Sequence, residues 1–263
     1  MYVSRCDASR NTHSGVGPRP HNCRVVAASP ALVGISHGTS SNDGQSAIAA
    51  LMAAVVAAHP GLTVANGFVD VQRPDIPHTL ASLGTNASAI VVPLLLSSGY
   101  HVHVDLATSI RDSAGRATLA RALGPDPRLA QLQCERLEEA GWSTDDTLIL
   151  AAAGSSDARA VGDCRIAAEY LASESGRPVA IGFVSAASPT LREAIASAQA
   201  ARPERRITVS SYLLAPGYFQ SIVENCGADV VTDPLLAVRR PTPHQLVDII
   251  FDRYRAALLP RSA

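Results

Sequence analysis

The sequence contains no lysine; all 22 of its basic residues are arginine. That absence excludes a P-loop lysine over nucleotide phosphates, a Schiff-base lysine for pyridoxal phosphate and the phosphate-pairing lysine of protein kinases. Aromatic residues are scarce, at 4%, which argues against a stacking platform for single-stranded nucleic acid. Neither sign of charge is in excess. The formal net charge is −1, so nothing draws the chain generally to nucleic acid or to an anionic membrane. Long hydrophobic runs are missing as well. The longest apolar helical stretch, Ala47 to Ala58, is twelve residues, short of the roughly 20 that span a bilayer. The cysteines are few and scattered (Cys6, Cys23, Cys134, Cys164, Cys226) and form no C-x-x-C. A zinc or disulfide framework is therefore disfavoured, no spacing supports an Fe–S cluster, and a reducing compartment fits. The first thirty residues lack an apolar h-region and read as a flexible tail rather than a signal peptide. These absences lead to the expectation of a soluble cytoplasmic protein, monomeric or homodimeric, without nucleic-acid or membrane partners.

What is present is apolar residue, 47% of 263, against 17% charged. Such a chain buries a sizeable core as one large domain or two small ones. From Ala31, short β-branched runs alternate with Ala-rich amphipathic segments. Strands are expected at Ala31–Ser36, Leu62–Val69 and Ala89–Leu96, and helices at Asp43–Ala58, at Asp75–Leu83 and from near His101. The pattern restarts with strands at Leu148–Ala153, Val179–Val184 and Arg206–Leu214. The helices of this second half are expected at Asp157–Ser173, at Thr190–Ala200 and from about Gly217. Nearly continuous apolar strands alternating with helices mark an α/β fold whose parallel sheet is covered on both faces.

The two halves are related. Gly67-Phe68-Val69 recurs as Gly182-Phe183-Val184 and Pro74 as Pro189, both 115 residues further on, and Gly99-Tyr100 recurs as Gly217-Tyr218 after 118. Near-constant offsets indicate an internal duplication. The expected organisation is a tail over 1–30, an N-terminal lobe over 31–142 and a C-terminal lobe over 143–263.

The duplication separates fold from chemistry. His37 follows the first strand, where the second half has Ala153. Asp70 follows the second strand, opposite Ser185, and His101 follows the third, opposite Phe219. Singly, each is an ordinary turn or cap residue. Jointly they place two imidazoles and a carboxylate at the carboxyl ends of three strands, where open parallel sheets bind ligands. That donor set suits a divalent first-row metal with open positions. The second half lacks all three.

At these residues the chain resembles the sirohydrochlorin chelatases, small ATP-independent enzymes. The matching stretches are Gly34-Ile35-Ser36-His37-Gly38-Thr39-Ser40, the run from Val92 through Ser97-Ser98-Gly99-Tyr100-His101-Val102-His103 to Asp105, Leu123 to Pro127, and Gly227 to Leu235. The resemblance covers roughly Ala31 to Tyr254. It implies two duplicated flavodoxin-like, chelatase-like lobes with a cleft between them. It also implies insertion of a divalent metal, Fe2+ first and Co2+ second, into sirohydrochlorin or a related tetrapyrrole of siroheme or cobalamin biosynthesis. The metal is a co-substrate and no cofactor is permanently bound. His37 and His101 then carry the catalysis, and His37, His101 and Asp70 hold the metal. Asp70 stands where the family usually has Glu, one methylene longer. Gly38, Thr39, Ser97, Ser98, Gly99 and Tyr100, at the starts of the first and third helices, are the candidate contacts for the carboxylate-bearing substrate. A neutral imidazole, with an ordinary pKa of ~6.5, both binds a metal and accepts a pyrrole proton.

Arg73 is a further candidate partner for a substrate carboxylate. His103 shares the metal only if its segment is extended, since residues two apart diverge on a helix. Three other readings stay open. Gly34-Ile35-Ser36-His37-Gly38 is a literal G-x-S-x-G, which would make Ser36 a hydrolase nucleophile. The second reading is a carrier that binds metal or tetrapyrrole without turnover, and the third is a regulatory descendant of the family.

Overall fold

The computed structural model describes residues 29–85, 87–97, 99, 106–108, 110–111 and 116–259. Each half builds a four-stranded parallel sheet. The first contains β1 (Ala31–Ser36), β2 (Val64–Phe68), β3 (Ala89–Pro93) and β4 (Ala117–Leu119), in the order β2-β1-β3-β4. The second contains β5 (Thr147–Ala152), β6 (Val179–Phe183), β7 (Ile207–Tyr212) and β8 (Val230–Val231), in the matching order β6-β5-β7-β8. The expected α/β duplication is therefore what the chain adopts. β1 and β3 are buried at every residue, the result of helices on both faces of a parallel sheet.

The helices begin where the sequence supplies caps. The Ser41 hydroxyl accepts from the Gly44 amide at the start of α1 (Asn42–Ala58). Asp75 caps α2 (Ile76–Ser82), Asp126 caps α3 (Pro127–Glu139) and Asp157 caps α4 (Ala158–Ser175). Thr190 and Glu193 form a reciprocal capping box on α5 (Leu191–Ala201). Next come α6 (Tyr218–Glu224) and α7 (His244–Leu258). Of the helix expected from near His101, residues 101–105 lie outside the described residues, while Leu106 and Ile110 are helical and buried. No described helix is long and apolar enough to cross a membrane.

Two short strands, β4 and β8, were not expected, because two or three residues carry no readable period. β3 also stops at Pro93 rather than Leu96: the ladder ends with the pair Ile35–Pro93, because β1 itself ends one residue later.

The two halves exchange helices. α3 leaves the first sheet and packs on α4 and β7 of the second, while α7 returns to pack on α1 and β3 of the first. Buried Gln133 on α3 donates to the Ser210 hydroxyl at 2.9 Å. Arg253 on α7 donates to the carbonyls of Ala122 and Leu123 and to Asp126. One hydrophobic core accordingly runs through both halves, from Leu32, Leu51 and Val92 to Leu148, Leu171 and Ile249, with a separate outer cluster on each sheet.

Candidate functional site

All strands of a sheet run parallel, so their carboxyl ends share one edge. At that edge of the first sheet the chain leaves β1 at His37 and β2 at Val69. The Val69 amide donates to the Ser36 carbonyl at 2.9 Å and the Asp70 amide to the His37 carbonyl at 3.0 Å. The pairing thus continues past both strands and sets His37 beside Asp70. Both residues are exposed. Gly38 has φ +93°, and a Cβ there would lie 2.1 Å from the Asp70 carbonyl oxygen, so only glycine lets the two loops approach this closely.

Side chains fix the loops. The Thr39 amide donates to Gln72 Oε1 at 2.9 Å, and Gln45 Nε2 donates to the Thr39 carbonyl at 2.9 Å. The Val71 amide donates to Asp70 Oδ1 at 2.7 Å, and among the described residues Oδ2 has no partner. Gln72 and Gln45 escaped the sequence reading because glutamine in a loop belongs to no motif.

The C-terminal lobe repeats this frame without its chemistry. Ser185 donates its amide to the Ala153 carbonyl at 3.0 Å, and Val184 to Ala152 at 2.9 Å. Gly154 has φ +89°, and a Cβ there would meet the Ser185 carbonyl at 1.8 Å. Val71 and Ala186 hold the same left-handed turn at φ 63° and 55°. A valine at positive φ is unusual, and its recurrence at the matching position assigns the turn to the fold. What differs between the lobes is therefore the side-chain set itself: His37 and Asp70 in one, Ala153 and Ser185 in the other.

The lobes meet at these same ends. A Cβ on Gly217 would lie 3.3 Å from Thr39 Oγ1, and one on Gly99 would lie 3.5 Å from Ser155 Oγ. Gly44 on α1 approaches the Pro216 carbonyl, 2.4 Å from where its Cβ would be. The Ser97 side chain hydrogen-bonds the Cys164 thiol, and burial pushes that thiol up to about 11, which keeps it protonated at neutral pH. Thr39, Ser97 and Gly99 thus lie on the seam between the lobes. Beside it is a groove of about 390 Å³, lined in part by Ser41, Asp43, Gly217, Gln220, Glu224 and Asp233. Its lining includes neither His37 nor Asp70.

His101, His103, Ser98 and Tyr100 lie outside the described residues, as do Cys6 and Cys23. No cluster of three or more His, Cys, Asp or Glu side chains forms among the described residues. The structure brings His37 and Asp70 to one edge. Cys134, Cys164 and Cys226 are free thiols. Arg73, read as a candidate carboxylate partner, is paired with Asp75, which also accepts from His78 Nδ1 at 2.6 Å. Ser36 is 4% exposed and its buried hydroxyl has no partner among the described residues. A nucleophile elbow presents its hydroxyl to solvent, so the geometry opposes the hydrolase reading.

Two duplicated parallel sheets with their strand ends turned to a common seam define a two-lobed chelatase fold. The chain belongs to the CbiX family, whose model matches residues 31–140 and 147–226. The resemblance seen in the sequence therefore holds. Among solved structures, SirB from Bacillus subtilis with Fe3+ matches with a TM-score of 0.71 at 20% identity, over 87% of this chain and 95% of that one. SirB from Bacillus subtilis subspecies spizizenii in complex with cobalt matches at 0.67 and 18% identity, over 87% and 94%. A multi-domain protein from Deinococcus radiodurans with structural similarity to chelatases matches at 0.57 and 19% identity, over 86% of this chain and 54% of that one. No curated protein sequence matches.

Proposed function

We propose that the protein inserts a divalent metal into sirohydrochlorin or a closely related tetrapyrrole without ATP, with Fe2+ as first metal and Co2+ as second. The observation that carries this reading is the pairing of His37 and Asp70 on adjoining strand ends, against Ala153 and Ser185 on the same frame in the other lobe. Family membership and the Fe3+ and cobalt held by the SirB structures support it.

The reaction exchanges two pyrrole protons for one cation, with no redox change and no phosphoryl transfer. The absence of lysine, and hence of a P-loop, fits that chemistry. In this reading the His37 imidazole and the Asp70 carboxylate receive the aquated cation at the edge of the first sheet. His101, assigned by resemblance, completes the set. A neutral imidazole then takes up the two pyrrole protons one after the other, releasing each to solvent, as the metal moves to the ring nitrogens.

The test is an anaerobic insertion assay with sirohydrochlorin and Fe2+ or Co2+, followed by the absorbance change of the macrocycle. His37→Ala and His101→Ala are each expected to lower the rate by ~10²-fold or more. Parent-like rates in both variants would overturn the catalytic assignment. Binding of metal and tetrapyrrole without insertion by the parent would make the protein a carrier.

A further inference from the structure

The chain has few aromatic side chains, and two of them lie exposed beside the seam. Tyr218 is 76% exposed and Phe219 38%, with ring centroids 6.0 Å apart and tilted by 40°. Their helix is anchored from beneath, since Gln220 and Val223 are buried and the Ser221 hydroxyl donates to the Tyr218 carbonyl at 2.7 Å. The pair follows directly on Gly217, which abuts Thr39, and Thr39 is two residues from His37. The aromatic pair therefore begins next to the point where the C-terminal lobe meets the His37 loop. Two other large exposed apolar residues belong to this region. Val71, 60% exposed, adjoins Asp70, and Val238, 44% exposed, lines the groove. Exposed apolar side chains from both lobes thus lie along the seam, Val71 next to Asp70 and Val238 on the groove beside Gly217. The duplication makes the same point: Tyr218 and Phe219 are the counterparts of Tyr100 and His101, so the second lobe has replaced the imidazole with a flat hydrocarbon ring.

On the reading given above, we propose that Tyr218 and Phe219 form the shelf on which the tetrapyrrole stacks, the C-terminal lobe positioning the ring while the N-terminal lobe supplies the metal ligands. A macrocycle has flat apolar faces and a carboxylate-bearing edge. Its faces suit offset stacking on aromatic rings. The neighbouring groove carries Asp43, Glu224 and Asp233, which repel that edge. The ring therefore lies on the aromatic pair with its carboxylates turned away from the groove. Tyr218 and Phe219 are positioning residues that set affinity for the macrocycle and leave the proton and metal steps to the other lobe.

The test titrates metal-free sirohydrochlorin into the full-length protein, with binding read from the shift of the macrocycle absorbance. Tyr218→Ala/Phe219→Ala is expected to weaken Kd at least tenfold and to raise KM for insertion by a similar factor, with kcat within about twofold of the parent. Tyr218→Phe, which keeps the stacking face, is expected to bind within twofold of the parent. Both side chains are exposed, so the double variant should melt near the parent temperature. If it binds sirohydrochlorin as the parent does, the shelf is wrong and the chelatase reading stands. Parent-like binding together with loss of a dimer would make the pair a self-association face instead. A parent that binds no sirohydrochlorin overturns the shelf and the chelatase reading together.

Discussion

The Tyr212 hydroxyl, at the end of β7 in the C-terminal lobe, donates to the Leu96 carbonyl of the N-terminal lobe at 3.1 Å. The ring is 2% exposed, and burial pushes the phenol well above its ordinary range, so it is a neutral donor throughout the working pH range. Leu96 directly precedes Ser97, on the segment that meets Cys164 and Ser155. Tyr212→Phe keeps the packing and removes the donor from one half-buried carbonyl, a loss of about 1 kcal/mol. The expected result is a melting temperature lower by roughly 2–4 °C per kcal/mol, measured by thermal unfolding. An unchanged temperature would show that the seam does not depend on this bond.

Gly38 and Gly154 give a matched pair. Alanine at either position must adopt positive φ and meet a carbonyl oxygen, at 2.1 Å and 1.8 Å respectively. Both substitutions are expected to cost at least roughly 1–3 kcal/mol from backbone strain alone. Their effects on function should differ. Gly38→Ala forces apart the loops that carry His37 and Asp70, so metal insertion per folded molecule should fall at least tenfold. Gly154→Ala disturbs a loop pair without ligands and should lower stability while leaving insertion per folded molecule near that of the parent. Equal losses of activity would remove the functional distinction between the lobes.

The frame of these loops was legible in the sequence because duplication wrote it twice: Gly67-Phe68-Val69 and Gly182-Phe183-Val184 end the second strand of each lobe. His37 and Asp70 stood out by contrast with Ala153 and Ser185. The helix exchange was not legible. Asp126, Arg128 and Arg253 form one ion cluster, yet 127 residues separate Asp126 from Arg253, and no local period reports such a pairing. The shelf was missed for the opposite reason. Tyr218 and Phe219 read as ordinary helix-starting residues, and their exposure appears only once Gln220 and Val223 take the buried side.

Two carboxylates tie stability to pH. Asp126 is 7% exposed and accepts from the Arg128 amide and guanidinium and from Arg253. Asp146 is 6% exposed and accepts from Arg206, the Ser143 amide and the Thr208 hydroxyl. Burial alone raises each carboxyl, but these donors and the arginine charges outweigh it and hold both below the ordinary carboxylate range. Each folded carboxyl thus gives up its proton at lower pH than the unfolded one, whose value is about 3.9. Their contribution is complete above about that value and disappears as pH falls through the folded ones. Denaturant unfolding from pH 7 to pH 3 should show stability falling on the acid side, and Asp126→Asn/Asp146→Asn should flatten that fall. At pH 7 each single variant should cost roughly 1.5–3 kcal/mol. An unflattened curve would assign acid sensitivity to other groups.

Asp70 offers the sharpest separation of chemistry from fold, because the molecule contains its own control. Ser185 occupies the same place in the second lobe and makes the same amide contact to the preceding loop, so Asp70→Ser installs a side chain this frame already accommodates. Asp70 is exposed and, among the described residues, its carboxylate is bonded only locally, to the Val71 amide. Exposed substitutions of this kind usually change stability by no more than ~0.5 kcal/mol, so the melting temperature should hold. The carboxylate, however, is the anionic member of the proposed ligand set. Its removal should weaken Co2+ binding, measured by titration in the absence of tetrapyrrole, by at least tenfold and slow insertion in parallel. Asp70→Glu, which keeps the charge and lengthens the side chain by one methylene, should bind Co2+ at least as tightly as the parent. Unchanged Co2+ affinity in Asp70→Ser would remove the carboxylate from the metal site and leave the histidines to hold the cation alone.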